Sequence, residues 1–422
     1  MNHAATRVWL WGAMLTALVG AAQAQDWPQW RGPNRDGAAQ GVKLPDPLPD
    51  QLYFRWELEV GQGEASPLVI GNRAFVFTRN GDEETLIAVD LVAGKEGWRA
   101  GYAAPRPPSS AGNGVRERGP RSTPAYADGR IVTLGAGGAL SCWDIKTRRR
   151  LWNESFVKQF ERAAPPGGTA TSPLVDGERV IVYVGGLGKG ALVACDLKSG
   201  AIVWSCDGDG PSSASPIIAT LSGVRQVITL SQSSALGVEI NTGKLLWKIP
   251  YAIEGDQNSV TPVIDDDTVI FSGYNRGLER YRIEQQGDEW RTDKIWENKE
   301  VSLQFSSPVA SGERLFGYSH RQKGQFFSLD MTSGQTLWTG DGKQAESASL
   351  VRAGGYIWAL TTRGELIAFR DSEKQFQPEA RYLVATTSVW ATPALLSSGA
   401  LVKDENQLRY WTFESPQGKP GL

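Results

Sequence analysis

The stretch LVACDLKSGAIVW, residues 192–204, decides the fold. Two short β-forming runs flank a turn that opens on Asp196 and contains Gly200. The carboxylate of such an acid bonds turn amides, and glycine takes the left-handed backbone that tight turns need. Upstream lies Ser172-Pro173, then a short apolar segment, an Asp176-Gly177 turn and the β-rich run RVIVYV. Together these make a unit of four short strands, each joined to the next by turn residues.

The unit recurs along almost the whole chain. Its Ser/Thr-Pro step appears at Ser66, Thr123, Ser172, Ser215, Thr261, Ser307 and Thr392, with Ser349-Leu350 between the last two. The intervals are 57, 49, 43, 46, 46, 42 and 43 residues, the size of one four-stranded propeller blade. The acid before the turn recurs as Asp90, Asp144, Asp196, Glu239 and Asp330. A closing tryptophan recurs as Trp98, Trp152, Trp204, Trp247, Trp296 and Trp338, with Tyr382 as the expected substitute in the seventh unit. A ring of that size at a fixed place buries on the order of 150–250 Å² between neighbouring sheets. The proline sits at the start of a strand, where its missing N–H costs least. These residues are therefore read as scaffold.

The chain ends explain how the ring closes. The eighth unit, Thr392 to Phe413, has room for three strands and no closing tryptophan. Tyr53 to Glu59 (YFRWELE) is a tryptophan strand with no unit before it. The expectation is an all-β, eight-bladed propeller of four-stranded antiparallel blades, its last blade completed by the N-terminal strand. Closure of this kind removes exposed sheet edges at the seam.

Composition narrows the function. The chain has 422 residues, a net charge of −2 and no global basic excess, which argues against nucleic acid as partner. Arg7, the apolar run Val8–Val19 and Ala22-Gln-Ala24 read as a cleaved signal peptide ending at Ala24. Twelve apolar residues rise only about 18 Å as a helix, against a hydrocarbon core of roughly 30 Å. The expected domains are 1–24 signal peptide, 25–52 extension packing on the propeller, 53–413 propeller and 414–422 tail. The mature protein is expected to be soluble, monomeric, and periplasmic or extracellular, with no lipid anchor because no cysteine stands at the cleavage point. Cys142, Cys195 and Cys206 match no zinc or haem-attachment spacing, and an odd count leaves at least one thiol outside any intramolecular pair. His320 is the single histidine after the leader, which excludes a multi-histidine metal site.

The pattern L-x-A-x-D-x-x-[ST]-G-x-x-x-W at 192–204, with similar stretches at 325–338 and 86–90, resembles the pyrroloquinoline-quinone (PQQ) repeat. The resemblance covers roughly Tyr53 to Phe413. It implies the eight-bladed fold and either of two roles: quinoprotein alcohol or sugar dehydrogenases, whose ring holds PQQ and calcium, or the non-catalytic BamB-type propeller of outer-membrane assembly. The segment DWPQWRGPNRDG, residues 26–37, is also similar to one that opens exported BamB-like proteins of planctomycete-type bacteria. Two departures weigh against the dehydrogenases: no two cysteines are adjacent to form their vicinal disulfide, and no acidic cluster matches their calcium and base positions. BamB itself carries a lipid anchor, which the leader here does not provide for.

Function must then lie in loops. Residues just before each Ser/Thr-Pro step gather at one channel mouth: Glu64, Arg121, Thr169, Ser213, Asn258, Gln304, Glu346 and Trp390. They form either a solvated rim or a small-molecule site. The longest connection, residues 105–121, carries Arg106, Arg116 and Arg118 besides Arg121, a set suited to carboxylate or phosphate recognition, or else a solvated loop. Asp265-Asp266-Asp267 reads as a turn, and Asp207-Gly-Asp209 lacks the later ligands of a calcium loop. Trp27 and Trp30 are expected to pack on the ring or plug its channel. The expected function is an exported binding or assembly scaffold for a protein or polymer, with no catalytic residues, metal or cofactor. A PQQ-dependent dehydrogenase and a small-molecule or carbohydrate sensor stand as alternatives.

Overall fold

The computed structural model describes residues 26–104, 119–161, 164–165, 167–256, 258–371 and 374–415. The expected leader at 1–24 and most of the 414–422 tail lie outside them, as do Arg106, Arg116 and Arg118. Among the described residues the strands form eight four-stranded sheets, all with antiparallel pairing. Blade 3 is typical: Leu174–Asp176 innermost, then Arg179–Gly186, Lys189–Asp196 and Ile202–Gly208 outermost. The last blade takes three strands from the C-terminal end, and its outer strand is Tyr53–Glu59 paired with Gln407–Thr412. The ring is thus eight-bladed and closed by the N-terminal strand.

The hydroxyl of the Ser/Thr-Pro step ties the ring together. At four steps the backbone N–H reaches the hydroxyl oxygen of the next blade's step: Ser66 to Thr123 at 3.1 Å, Thr123 to Ser172 at 3.0 Å, Ser172 to Ser215 at 3.0 Å and Thr261 to Ser307 at 3.0 Å. Thr392 N–H to Ser66 Oγ, at 2.8 Å, closes the circle. Inner strands are too far apart to share a β-ladder, so this belt supplies the buried amides with acceptors. Ser349 stands in the same register as Ser66, four residues before the end of its inner strand.

Tryptophan and glycine form the second inter-blade tie. Trp152 lies over Gly200 of the next blade and donates its Nε1–H to Leu197 O at 2.9 Å. A Cβ on Gly200 would sit 2.8 Å from that ring, and its φ of +78° already requires glycine. Trp204, Trp296 and Trp56 repeat the arrangement with Ile240, Met331 and Leu91 as acceptors. The turn acid behaves as read: Asp196 Oδ1 accepts from the amides of Lys198 and Ser199 and from the Ser199 hydroxyl.

Blade 7 departs from the expected pattern. Trp98, Trp204 and Trp338 pair with Ala88, Ala194 and Ser328, each two residues before the turn acid. The corresponding residue of blade 7 is Ala368, whose partner is Ala380, so Tyr382 lies two positions further along the strand. The reason is the closure itself. Blade 8 has no hairpin turn on which a tryptophan could sit, since its outer strand comes from the other end of the chain. Tyr382 instead stacks near Trp358 and donates its hydroxyl to Pro49 O at 2.6 Å.

Candidate functional site

Each inner strand runs from the Ser/Thr-Pro step to an inner turn, so the ring has two unlike mouths. At the turn side the chain's own N-terminal segment enters the channel. Trp27 exchanges two backbone hydrogen bonds with Val69, Pro28 O accepts from Tyr126 N–H, and Arg352 bonds Gly37 and Ala39. Val69, Tyr126 and Arg352 share one register position, next to last in their inner strands. The segment therefore pairs with successive blades at one depth.

From there its side chains reach toward the hydroxyl belt. Arg31 donates to Ser307 O at 2.8 Å and to Pro308 O, and Arg35 donates to Pro173 O at 2.9 Å and Ser172 O at 3.0 Å. Trp30 Nε1–H reaches the Thr261 hydroxyl at 3.0 Å. Trp27, Arg31 and Arg35 are all buried. Burial pushes the Arg31 guanidinium down to about 10, against the pull of Asp36, and Arg35 down to about 9, helped by Arg31 beside it. Both remain cationic at neutral pH, compensated by main-chain carbonyls. The fold of the segment is tight: Gly37 has φ +79°, and a Cβ there would meet Val309 Cγ1 at 2.6 Å.

The opposite mouth carries the eight residues singled out from the sequence, and the structure divides them. Thr169 and Asn258 are buried and committed to the scaffold. The Thr169 hydroxyl donates to Gly135 O, and the Asn258 amide donates to Ser231 O, Gln232 O and Tyr251 O. Ser213 offers its N–H to Asn258 O at 3.0 Å. Arg121 donates to the carbonyls of Gly167 and Gly168, both at 2.7 Å. Glu64, Gln304, Glu346 and Trp390 have side chains that reach the surface.

Trp390 meets Phe305 edge to face at 5.8 Å. Phe305 is 38% exposed, high for a large aromatic. Counting back a fixed distance from each Ser/Thr-Pro step passes over it by one residue. Beneath Glu64 lies Lys403, fully buried, with its ammonium on Gly63 O, Asp404 O and Glu405 O. Desolvation pushes its pKa down to about 8, against nearby Asp404 and Glu64.

The two acidic runs hold structural roles. Asp265–Asp267 makes the inner turn of blade 5, with Asp265 bonded to Arg280 and Asp267 accepting from Ser222 N–H. Asp209 accepts from the amide and hydroxyl of Ser233. A PQQ–calcium pair needs several oxygen donors converging near the axis. Among the described residues no three His, Cys, Asp or Glu side chains come together, and the three cysteines are unpaired. The axial space beside Ser172, Thr261 and Ser307 is occupied by Arg35, Trp30 and Arg31. The residues present do not fit that group.

These features define a closed eight-bladed propeller with one mouth plugged from within and one lined by loops. The family model described as "Outer membrane protein assembly factor BamB" matches residues 82–340, and the chain belongs to that family. An outer membrane protein assembly factor BamB from Shewanella oneidensis is 22% identical over 241 residues, covering 55% of this chain and 59% of that protein. A polyvinylalcohol dehydrogenase from Pseudomonas sp is 24% identical over 361 residues, covering 64% of this chain and 54% of that protein. The chain thus spans less than two thirds of either relative. BamB from Moraxella catarrhalis superposes with a TM-score of 0.63 at 15% identity, over 87% of this chain and 99% of that one. A quinohemoprotein alcohol dehydrogenase from Comamonas testosteroni superposes with a TM-score of 0.70 at 12% identity, over 96% and 83%. At such identities the likeness is one of fold.

Proposed function

We propose that this chain is an exported, non-catalytic binding propeller that engages a protein or polymer partner in the cell envelope through its loop-lined mouth. The observation that carries the reading is the plug. Arg31, Arg35 and Trp30 reach from the turn side into the axis as far as the hydroxyl belt, which leaves the loop-lined mouth for contact. The mouth offers an aromatic pair, Phe305 and Trp390, beside the polar side chains of Gln304 and Glu346. Aromatic residues on an exposed rim are typical anchors of protein and polymer recognition. Membership of the assembly-factor family supports the scaffold role, and the alcohol-dehydrogenase neighbours support only the ring.

The Arg7, Val8–Val19 and Ala22–Ala24 pattern supports export; among the described residues no helix is long and apolar enough to cross a membrane. N-terminal sequencing of protein recovered from the periplasm or medium should begin at Gln25.

The decisive test pairs two measurements. Envelope proteins captured on wild-type protein should be lost on the Phe305→Ala/Trp390→Ala double variant, which should keep the wild-type melting curve. Purified protein mixed with PQQ and calcium should show no saturable change in quinone absorbance and no dye-linked oxidation of alcohols or sugars. Turnover in that assay would overturn the scaffold reading.

A further inference from the structure

Between blades 1 and 2, on the loop side of the ring, lies a groove of about 410 Å³ between the outer strands Glu96–Ala103 and Arg149–Ser155. It is lined by Glu84, Tyr102, Ala104, Gly137, Arg150 and Asn153 among others. Its charges are arranged unevenly. Glu84 is fully buried at the base and completely engaged: Oε1 accepts from Arg79 at 3.2 Å and from Ala136 N–H at 2.9 Å, and Oε2 accepts from the Tyr102 hydroxyl at 2.6 Å. Arg79 is buried with it, so this pair contributes no net charge.

Arg150 is different. It is exposed, and it lies over the Tyr102 ring at 4.9 Å and the Trp143 ring at 5.8 Å. A guanidinium resting on aromatic rings keeps its edge N–H groups available for a planar acceptor. Among the described residues it forms no ion pair. Asn153 stands on the same face of the strand. The Ser141 hydroxyl donates to Asn153 Oδ1 at 3.0 Å, which fixes the amide so that its two N–H donors point away from Ser141. Lys146, Arg148 and Arg149 continue the positive surface along the adjoining hairpin, all exposed.

We infer that this groove binds a carboxylate carried by an acidic peptide segment. A planar guanidinium beside a primary amide matches the planar, monoanionic carboxylate and presents a fork for two parallel bonds. The charges of Glu84, Arg79 and Arg150 leave the groove itself with a single positive charge, which suits a monoanion better than a phosphate. The faces of Tyr102 and Trp143 are covered by Arg150 and by each other, stacked at 6.2 Å, so a sugar ring finds no platform. An acidic side chain on an extended peptide needs none. The groove adjoins the mouth through Ala136, which serves both Glu84 and Thr169, but its binding group is Arg150 and does not depend on Phe305 or Trp390.

The test uses a fluorescein-labelled peptide of alternating glutamate and serine with blocked ends, titrated with the full mature chain by anisotropy. Saturable binding that weakens as salt rises is expected. Arg150→Ala should reduce affinity by roughly tenfold or more, and Arg150→Lys, which keeps the charge and loses the fork, by a smaller factor. Arg282→Ala, at an exposed arginine of blade 5, should leave binding unchanged. Because Arg150 is exposed, its variants should melt as wild type does. Any of four results overturns the inference: no saturable binding, equal loss in Arg282→Ala, equal affinity for the peptide with glutamine in place of glutamate, or tighter binding of an oligogalacturonate than of the peptide.

Discussion

The two mouths of the ring are built from the same strands and organised by opposite rules. At the turn side, Trp27, Arg31 and Arg35 are buried, and the arginines reach main-chain carbonyls of the blades. At the loop side, Phe305 and Trp390 touch each other at the surface, and Lys403 holds the loop from below. One mouth is an interior, and the other is a surface. The lesson is that aromatic and cationic residues of similar composition carry stability in one place and recognition in the other, according to what lies behind them.

That contrast can be broken first at Trp27. Trp27→Ala empties a fully enclosed indole site and should cost about 3–5 kcal/mol in denaturant unfolding. A loss under 1 kcal/mol would mean the plug is not part of the folded core. Arg35→Met removes charge-assisted donors from Ser172 O and Pro173 O and should cost about 2–3 kcal/mol in the same measurement. Gly37→Ala, strained by its φ of +79° and crowded by Val309, should cost about 1–3 kcal/mol.

The open mouth supplies a subtler probe. Lys403 has a folded pKa lowered from 10.5 to about 8 by burial. Between those values the unfolded chain keeps a proton that the folded chain has released, so its contribution makes stability rise with pH across that window. Lys403→Met should flatten that rise relative to wild type in denaturant melts taken at successive pH values. A slope unchanged by the substitution would show that the ammonium is not the group responsible. The smallest effect is expected at Trp390: Trp390→Ala should move stability by no more than about 1 kcal/mol while reducing partner capture. A large stability loss there would erase the distinction between the mouths.

The ring was legible because a propeller writes its scaffold into each repeat. Asp196, Gly200 and Trp204 are read locally, since the turn acid and glycine act within a few residues. The hydroxyl belt was legible as a pattern but not as a bond, because its partners lie 43 to 57 residues apart, and 326 apart where Thr392 meets Ser66. Ala380 stands where Tyr382 was expected, opposite Ala368, and the missing hairpin of blade 8 that goes with it is not visible in residue spacing. The arginines of the plug were hidden for a similar reason. Their acceptors are carbonyls of Ser172, Pro173, Ser307 and Pro308, which any residue could supply and only the closed ring assembles. Of the mouth residues, Thr169 and Asn258 are buried, which depends on the packing of neighbouring turns and not on their place in the repeat. Arg150 lay in a basic run that looks like an ordinary hairpin until blade 1 brings Tyr102 beneath it.

Blade 8 has a consequence for how the molecule comes into being. Its outer strand joins residues near position 53 to residues near position 412, and Thr412 reaches back to Tyr53 O. Contacts of such sequence separation form late, after the cost of closing the intervening loop has been met. During synthesis the Trp56 strand emerges first and must wait, unpaired, for nearly the entire chain to follow. The plug waits with it, since its acceptors are spread over blades that do not yet exist. The last step of folding is therefore a meeting of the two ends, and the opening strand remains exposed until the final blade is made.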